Sequence, residues 1–181
     1  MMRLIIFLLF CLLSISLFAD GPKRELRGVW VATVQNIDWP SPHNYDGAKQ
    51  KSEFIDLLNS HQKTGINALF VQIRTASDAL YAKSAEPWTT YLSGKQGQAP
   101  SPYYDPLEFM IDQTHARGME FHAWLNLNRA SMSSRSLLSS EHVARKHPEW
   151  LLSYNGQLLF DFGIPAVRHY IAGLVRNIIV N

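Results

Sequence analysis

The strongest constraint on the fold is an asymmetry in its connections. Three β-prone stretches, Leu26 to Val34, Asn67 to Arg74 and Met119 to Arg129, each lead into a long polar loop. The helical segments between them return to the next strand through a single glycine, Gly65 or Gly118. Lys49 to Thr64 reads as an amphipathic helix, with Phe54, Leu58 and His61 at i, i+4 and i+7 and Ile55 and Leu57 widening the stripe. Asp105-Pro106-Leu107-Glu108 opens the next helix, with Asp as N-cap, Pro at N1 and Glu at N3. Asp161 to Pro165 launches a last one, with Val167, Ile171, Leu174 and Ile178 on its apolar stripe. Strands and helices that alternate with right-handed crossovers make a parallel sheet. Long loops at the strand C-termini and tight returns are the mark of a (β/α) barrel. A full barrel takes about 250 residues. The fold expected is therefore α/β, the N-terminal portion (about three to four β/α units) of a TIM (β/α)8 barrel, truncated.

The first 19 residues read as a signal peptide: Arg3, an apolar run from Leu4 to Phe18, then Ala19 for cleavage before Asp20. That run is shorter than the roughly 20 residues a membrane span needs, so no stable membrane span is expected after cleavage. Cys11 is the sole cysteine and lies inside it, with bulky Phe10 where lipidation requires a small residue. Residues 20–25 are a polar lead-in and residues 26–181 one domain. Without cysteine, that domain is excluded from disulfide, thiolate-metal and cysteine-nucleophile chemistry. An exported, cysteine-free protein fits a bacterial periplasm or cell surface. Removing Arg3 from the 17 basic residues leaves 16 against 15 acidic ones, so nothing steers the chain toward nucleic acid.

In Met119 to Arg129, Phe121, Ala123 and Leu125 alternate with His122, Trp124 and Asn126, and Arg129 follows. Aromatic rings with amide and guanidinium donors at a strand tip suit a sugar- or carboxylate-binding surface. Trp39, Trp88 and Trp124 are candidates to stack on pyranose rings, whereas Trp30 and Trp150 are assigned to the core. His122 is read as a ligand contact or as support for one. Asp38 either meets sugar hydroxyls or caps a turn before Pro40. Asp78 either contacts substrate or pairs with Arg74, whose fork could instead hold a ligand carboxylate. Glu86, before Pro87, is read as solvated. The histidines are scattered, His142 and His147 standing five apart, so no metal site and no cofactor are expected. No phosphate-binding loop or nucleophile elbow is present.

The domain opens with Arg27-Gly28-Val29-Trp30-Val31-Ala32-Thr33 and Asn36-Ile37-Asp38-Trp39-Pro40. Val71-Gln72-Ile73-Arg74 follows with Asp78-Ala79 and Tyr81, then Pro87-Trp88 and the Tyr91-Leu92-Ser93-Gly94 turn. Tyr104-Asp105-Pro106-Leu107, Glu120-Phe121-His122-Ala123-Trp124, His147-Pro148-Glu149-Trp150 and Asp161 to Arg168 come next. In this order and spacing these stretches resemble the glycosyl-hydrolase-like 10 family. Phe162 departs from the family's usual proline. The resemblance implies a secreted barrel glycosidase, some members of which act on the glycan strands of bacterial peptidoglycan. It also implies that the catalytic carboxylates come from the fourth strand and beyond, so none is named here. The function expected is hydrolysis of a bacterial cell-wall or other polysaccharide by two carboxylates. The alternative is a glycan-binding module without catalysis. An unrelated small α/β domain would not need the asymmetric loops.

Overall fold

The computed structural model describes residues 25–180. The expected signal peptide, with Cys11, and the lead-in as far as Arg24 lie outside the described residues. Three strands, β1 (Gly28–Val31), β2 (Ala68–Arg74) and β3 (Glu120–Leu125), form a parallel sheet in that order. Helix α1 (Gly47–Lys63) joins the first pair; a single turn α2 (Thr90–Ser93) and helix α3 (Pro106–His115) join the second. Both long helices start at an aspartate whose carboxylate accepts two backbone N–H groups: Asp46 from Ala48 and Lys49, Asp105 from Leu107 and Glu108. A carboxylate there also meets the positive end of the helix dipole. Gly65 and Gly118 follow the helix ends at φ +80° and +68°, a region that costs a side-chain-bearing residue about 1–2 kcal/mol.

The two faces of the sheet differ. Leu69, Val71 and Ile73 of β2 pack with Phe54 and Leu58 of α1 and Met110 of α3, all fully buried, and form the main core. Burying each such side chain contributes about 1.5–3 kcal/mol, so this layer carries most of the stability. The opposite face bears a row of rings. Register sets Trp30 beside Phe70 and Phe70 beside His122. Their rings stack at 4.9 and 4.5 Å, and Trp124 meets Trp30 edge-on at 5.0 Å. Gly28 makes room for this row: a Cβ there would lie 2.7 Å from the Phe70 ring. Trp30 is thus not the core residue its sequence setting implies; it is 60% exposed, on a face that the described residues leave open.

A second, antiparallel sheet of β4 (Arg129–Ser131), β5 (Leu151–Tyr154) and β6 (Gln157–Phe160) follows, ordered β4-β6-β5. Its hairpin turns on Asn155 and Gly156, both at positive φ, as a mirror-image two-residue turn requires. Helices α4 (Val143–Lys146) and α5 (Pro165–Val180) share its core through Val143, Val167 and Ile171, against Ala130 and Phe160. Strand β4 has no counterpart in the sequence pattern, being three residues at the head of a serine-rich run. Strand β1 stops at Val31 rather than Val34, because the Gln72 carboxamide oxygen accepts the Thr33 and Val34 amides (3.1 and 3.0 Å) and turns the chain off the sheet.

The long loop after β2 is held by one buried ion pair. Arg74, fully buried at the β2 tip, donates from Nε to Glu86 Oε2 (2.7 Å) and from Nη2 to Glu86 Oε1 (2.6 Å). It also donates to Ser77 Oγ (2.9 Å) and to the Asn126 carbonyl beyond β3. Tyr170 Oη of α5 donates to Glu86 Oε1 at 2.7 Å. Burial, then the Glu86 carboxylate, pushes the Tyr170 phenol well up. Arg74 therefore pairs with Glu86, not Asp78, and Glu86 is 5% exposed rather than solvated. A lone buried guanidinium would lose several kcal/mol of hydration, so the loop folds back until it supplies a counter-ion. Beside it, His142 caps α4 by accepting the Ala144 amide at Nδ1 (3.1 Å), which leaves Nε2–H to donate to the Ala76 carbonyl (3.2 Å).

Glu86→Gln, which strands the guanidinium, is expected to cost about 3–5 kcal/mol in urea unfolding, and Tyr170→Phe only about 1 kcal/mol. Equal losses would show that the pair does not hold the loop. Desolvation keeps His142 below its ordinary value of 6.5. The unfolded chain therefore binds this proton first, and stability falls as pH drops below 6.5 toward the depressed folded value. Urea midpoints between about pH 7.5 and 5.5 should show that slope, and His142→Asn, which keeps a cap acceptor but does not titrate, should flatten it.

Candidate functional site

The β2 tip, the loop after it and the start of the second sheet enclose a cavity of about 450 Å³. Asp78 lies at its edge, only 4% exposed. Its Oδ1 accepts the Thr75 hydroxyl and the Ala76 amide, while Oδ2 accepts no hydrogen bond among the described residues. One half of the carboxylate is thus fixed by the loop and the other is free to accept. Tyr91 lines the opposite wall with Thr90, Lys95 and Gln96, and Ser131 and Met132 close the far side. The Tyr91 phenol is raised, first by burial; Asp78 pushes it further up and Arg129 pulls it down. Those three groups therefore share one electrostatic neighbourhood.

The β3 tip is tied into this arrangement. Trp124 Nε1 donates to Asn126 Oδ1 (3.0 Å), and Asn126 Nδ2 donates to the Thr75 carbonyl (3.3 Å). The Asn126 amide donates to the Arg74 carbonyl at 3.2 Å. A chain of hydrogen bonds thus runs from the Trp124 indole to the loop that carries Asp78. Arg129 opens β4, and its Nη1 donates to the Met132 sulfur at 3.4 Å.

The remaining expected residues are not gathered here. Trp39 belongs to the core: it is 1% exposed, its Nε1 donates to the Gln50 carbonyl (2.9 Å), and its ring meets Phe54 at 5.5 Å. At that burial no face is left for a sugar. Arg74 is spent on Glu86, with no donor pair left for a ligand carboxylate. Asp38 accepts the Ala32 amide (2.7 Å) and clamps its own loop, the capping role. His122 sits one layer below the tips, stacked on Phe70 and 3.1 Å from Glu120 Oε2. Trp88 lines a separate, larger cavity. Tyr91, Thr75 and Gln96 are the site residues that strand-tip reasoning passes over. The Tyr91-Leu92-Ser93-Gly94 turn is the available signal for the first, and nothing in the spacing marks the others.

Chemically, the cavity can bind but lacks a pair of carboxyl groups. Glycoside hydrolysis needs two, about 5–5.5 Å apart for retention or 6.5–9.5 Å for inversion. Asp78 is the one carboxylate at the cavity among the described residues, and Glu86 is consumed by Arg74 and Tyr170. Among the described residues no three of His, Cys, Asp and Glu cluster closely enough to hold a metal ion, and no helix is long and apolar enough to cross a membrane.

Known proteins agree with this architecture. The chain is 45% identical over 170 residues to "Glycosyl hydrolase YngK" of Bacillus subtilis, covering 92% of this chain and 33% of that protein. It is 33% identical over 174 residues to "Glycosyl hydrolase DigH" of Escherichia coli, covering 87% and 39%. The chain thus spans between about a third and two fifths of these relatives' length. Among solved structures, a maltogenic α-amylase, AmyB, from Thermotoga neapolitana superposes with TM-score 0.50 at 16% identity, over 83% of this chain and 35% of that one. An α-galactosidase, AgaA, from Geobacillus stearothermophilus gives 0.51 at 14% identity, over 86% and 20%. At such identities these two speak for the mixed α/β fold alone. The family model for "Glycosyl hydrolase-like 10" matches residues 25–181, and the chain belongs to that family.

Proposed function

We propose that this chain supplies the opening β/α units and part of the glycan-binding floor of an exported glycoside hydrolase. The substrate is a bacterial cell-wall or other polysaccharide, met in the periplasm or at the cell surface, and the two catalytic carboxylates stand on later strands of a TIM barrel. The observation that carries this is the half-used Asp78 carboxylate at a strand-tip cavity, where barrel enzymes bind their substrates. A free oxygen on a nearly buried carboxylate accepts a sugar hydroxyl with little competition from water. Asn126, Trp124 and Arg129 hold or flank that loop and the cavity's far wall. The open ring-bearing face of β1 to β3 fits a barrel interior awaiting further strands, since a closed barrel fills its lumen with side chains from every strand. Membership of a glycosyl hydrolase-like family supports the same conclusion.

A second function, glycan binding without hydrolysis, is favoured by the lack of a second free carboxylate at the cavity among the described residues. The two functions share the binding step and part at bond cleavage.

Titration of residues 20–181 with soluble peptide-free cell-wall glycan strands should give saturable binding. Asp78→Asn should weaken it roughly 10- to 100-fold, the loss of one charge-assisted hydrogen bond. No new reducing ends should form. Unchanged affinity in the variant removes Asp78 from the site, and hydrolysis by this chain alone removes the claim that its carboxylates are incomplete.

A further inference from the structure

A cavity of about 640 Å³, larger than the one that holds Asp78, lies beside it. It lies on the other side of the 94–98 turn, and Lys95 and Gln96 line both. Between the two, Gln96 Oε1 accepts the Ser139 amide at 2.9 Å, a bridge from the turn to the serine-rich segment. A ligand lying across this bridge would occupy both cavities at once.

The walls of the larger cavity are specific in kind. Trp88 lines it with a half-buried indole, and Gln96, Gln98 and Ser140 supply polar groups around it. Tyr81, 2% exposed, also lines it; burial raises its phenol and the neighbouring Ser84 hydroxyl lowers it. An indole wall with hydroxyl and amide groups at its rim is the chemistry of a pyranose site.

The charges narrow the ligand further. Four ionic side chains line the cavity: Lys83, Lys95, Glu86 and Glu141. Glu86 is neutralised by Arg74, and Glu141 by Lys146 at 2.6 Å. Lys83 and Lys95 make no ion pair or side-chain hydrogen bond among the described residues, and both are exposed. The acids bring their own counter-ions and the lysines do not, so the unmatched field in the cavity is cationic.

We infer that this cavity is a second saccharide subsite, next along the same glycan from the one at Asp78, and that it takes a sugar residue bearing a carboxylate. Trp88 carries the ring, and Lys83 and Lys95 meet the carboxylate. The inference rests on the glycan-binding function proposed above and adds to it the charge of the neighbouring sugar.

The test uses the chain without its leader and two forms of one ligand: peptide-free cell-wall glycan strands with their lactyl carboxylates free, and the same strands with those carboxylates amidated. Wild type should bind the amidated strands roughly three- to tenfold more weakly, as two partly exposed ion pairs imply. The Lys83→Gln/Lys95→Gln variant should bind both forms alike, at the level of wild type with amidated strands. Both lysines are exposed and unpaired, so this variant should melt where wild type does. Lys49→Gln/Lys63→Gln, which removes the same charge from α1, should behave as wild type; an equal loss there would reduce the effect to general ionic attraction and overturn the subsite. Equal binding of both strands by wild type, with Asp78→Asn still weakening each, would also overturn it while leaving the first cavity's function intact. Failure of wild type to bind either strand would overturn both proposals together.

Discussion

The Arg74–Glu86 ion pair is the interaction on which the functional end of the domain depends. Four pieces of chain converge on it: the β2 tip, the loop that returns at Glu86, the backbone after β3 through the Asn126 carbonyl, and α5 through Tyr170. Its value is directional more than energetic. A buried ion pair barely recovers the hydration that its charges lose, and well-packed apolar residues of the same size would serve stability about as well. Apolar contacts, however, tolerate sliding. A bidentate guanidinium–carboxylate contact fixes position and plane together, so the loop carrying Asp78 has one path instead of several.

The parallel sheet shows a different balance. On one side Leu69, Val71 and Ile73 lie under two helices and need no polar help. On the other, Trp30, Phe70, His122 and Trp124 pack ring to ring, with Trp30 60% exposed and the other three half-buried. Ring pairs of this kind contribute about 0.5–1.5 kcal/mol beyond the area they bury, enough to order the row. They do not replace a covering layer. The row is therefore ordered in advance of any layer that closes over it.

The Asp105 cap, the glycine returns and the parallel order are legible in the sequence, because each rests on a local signal: Asp105 before its helix, Gly65 and Gly118 after theirs. The Asp46 cap, three residues ahead of the expected helix start at Lys49, is seen only in the structure. The Asn155-Gly156 pair between β5 and β6 is likewise a local turn signal. What escapes is non-local. Nothing near Glu86 says that its partner is twelve residues back at a strand tip rather than water. Gln72 looks like any strand residue until its carboxamide is seen to end β1. Trp39 and Trp88 are both tryptophans in loops rich in proline, yet one lies in the core and the other lines a cavity. Gln50, contributed by α1, decides the first case, and no spacing rule contains it.

Binding capacity here depends on partners left over, not on residue type. Glu86 and Asp78 are both nearly buried carboxylates on one loop, eight positions apart. Glu86 receives two bonds from Arg74 and one from Tyr170, so both of its oxygens are occupied. Asp78 receives two, both on Oδ1, and keeps Oδ2 open toward a cavity. The first is therefore part of the fold and the second is available to a ligand. The same distinction separates Arg74, whose donors are committed, from Lys83 and Lys95, whose ammonium groups are not. A substrate that brought a hydroxyl to Asp78 and an anion to the lysines would satisfy what the fold leaves unmet. It would do so without disturbing the buried ion pair that holds the two cavities in place.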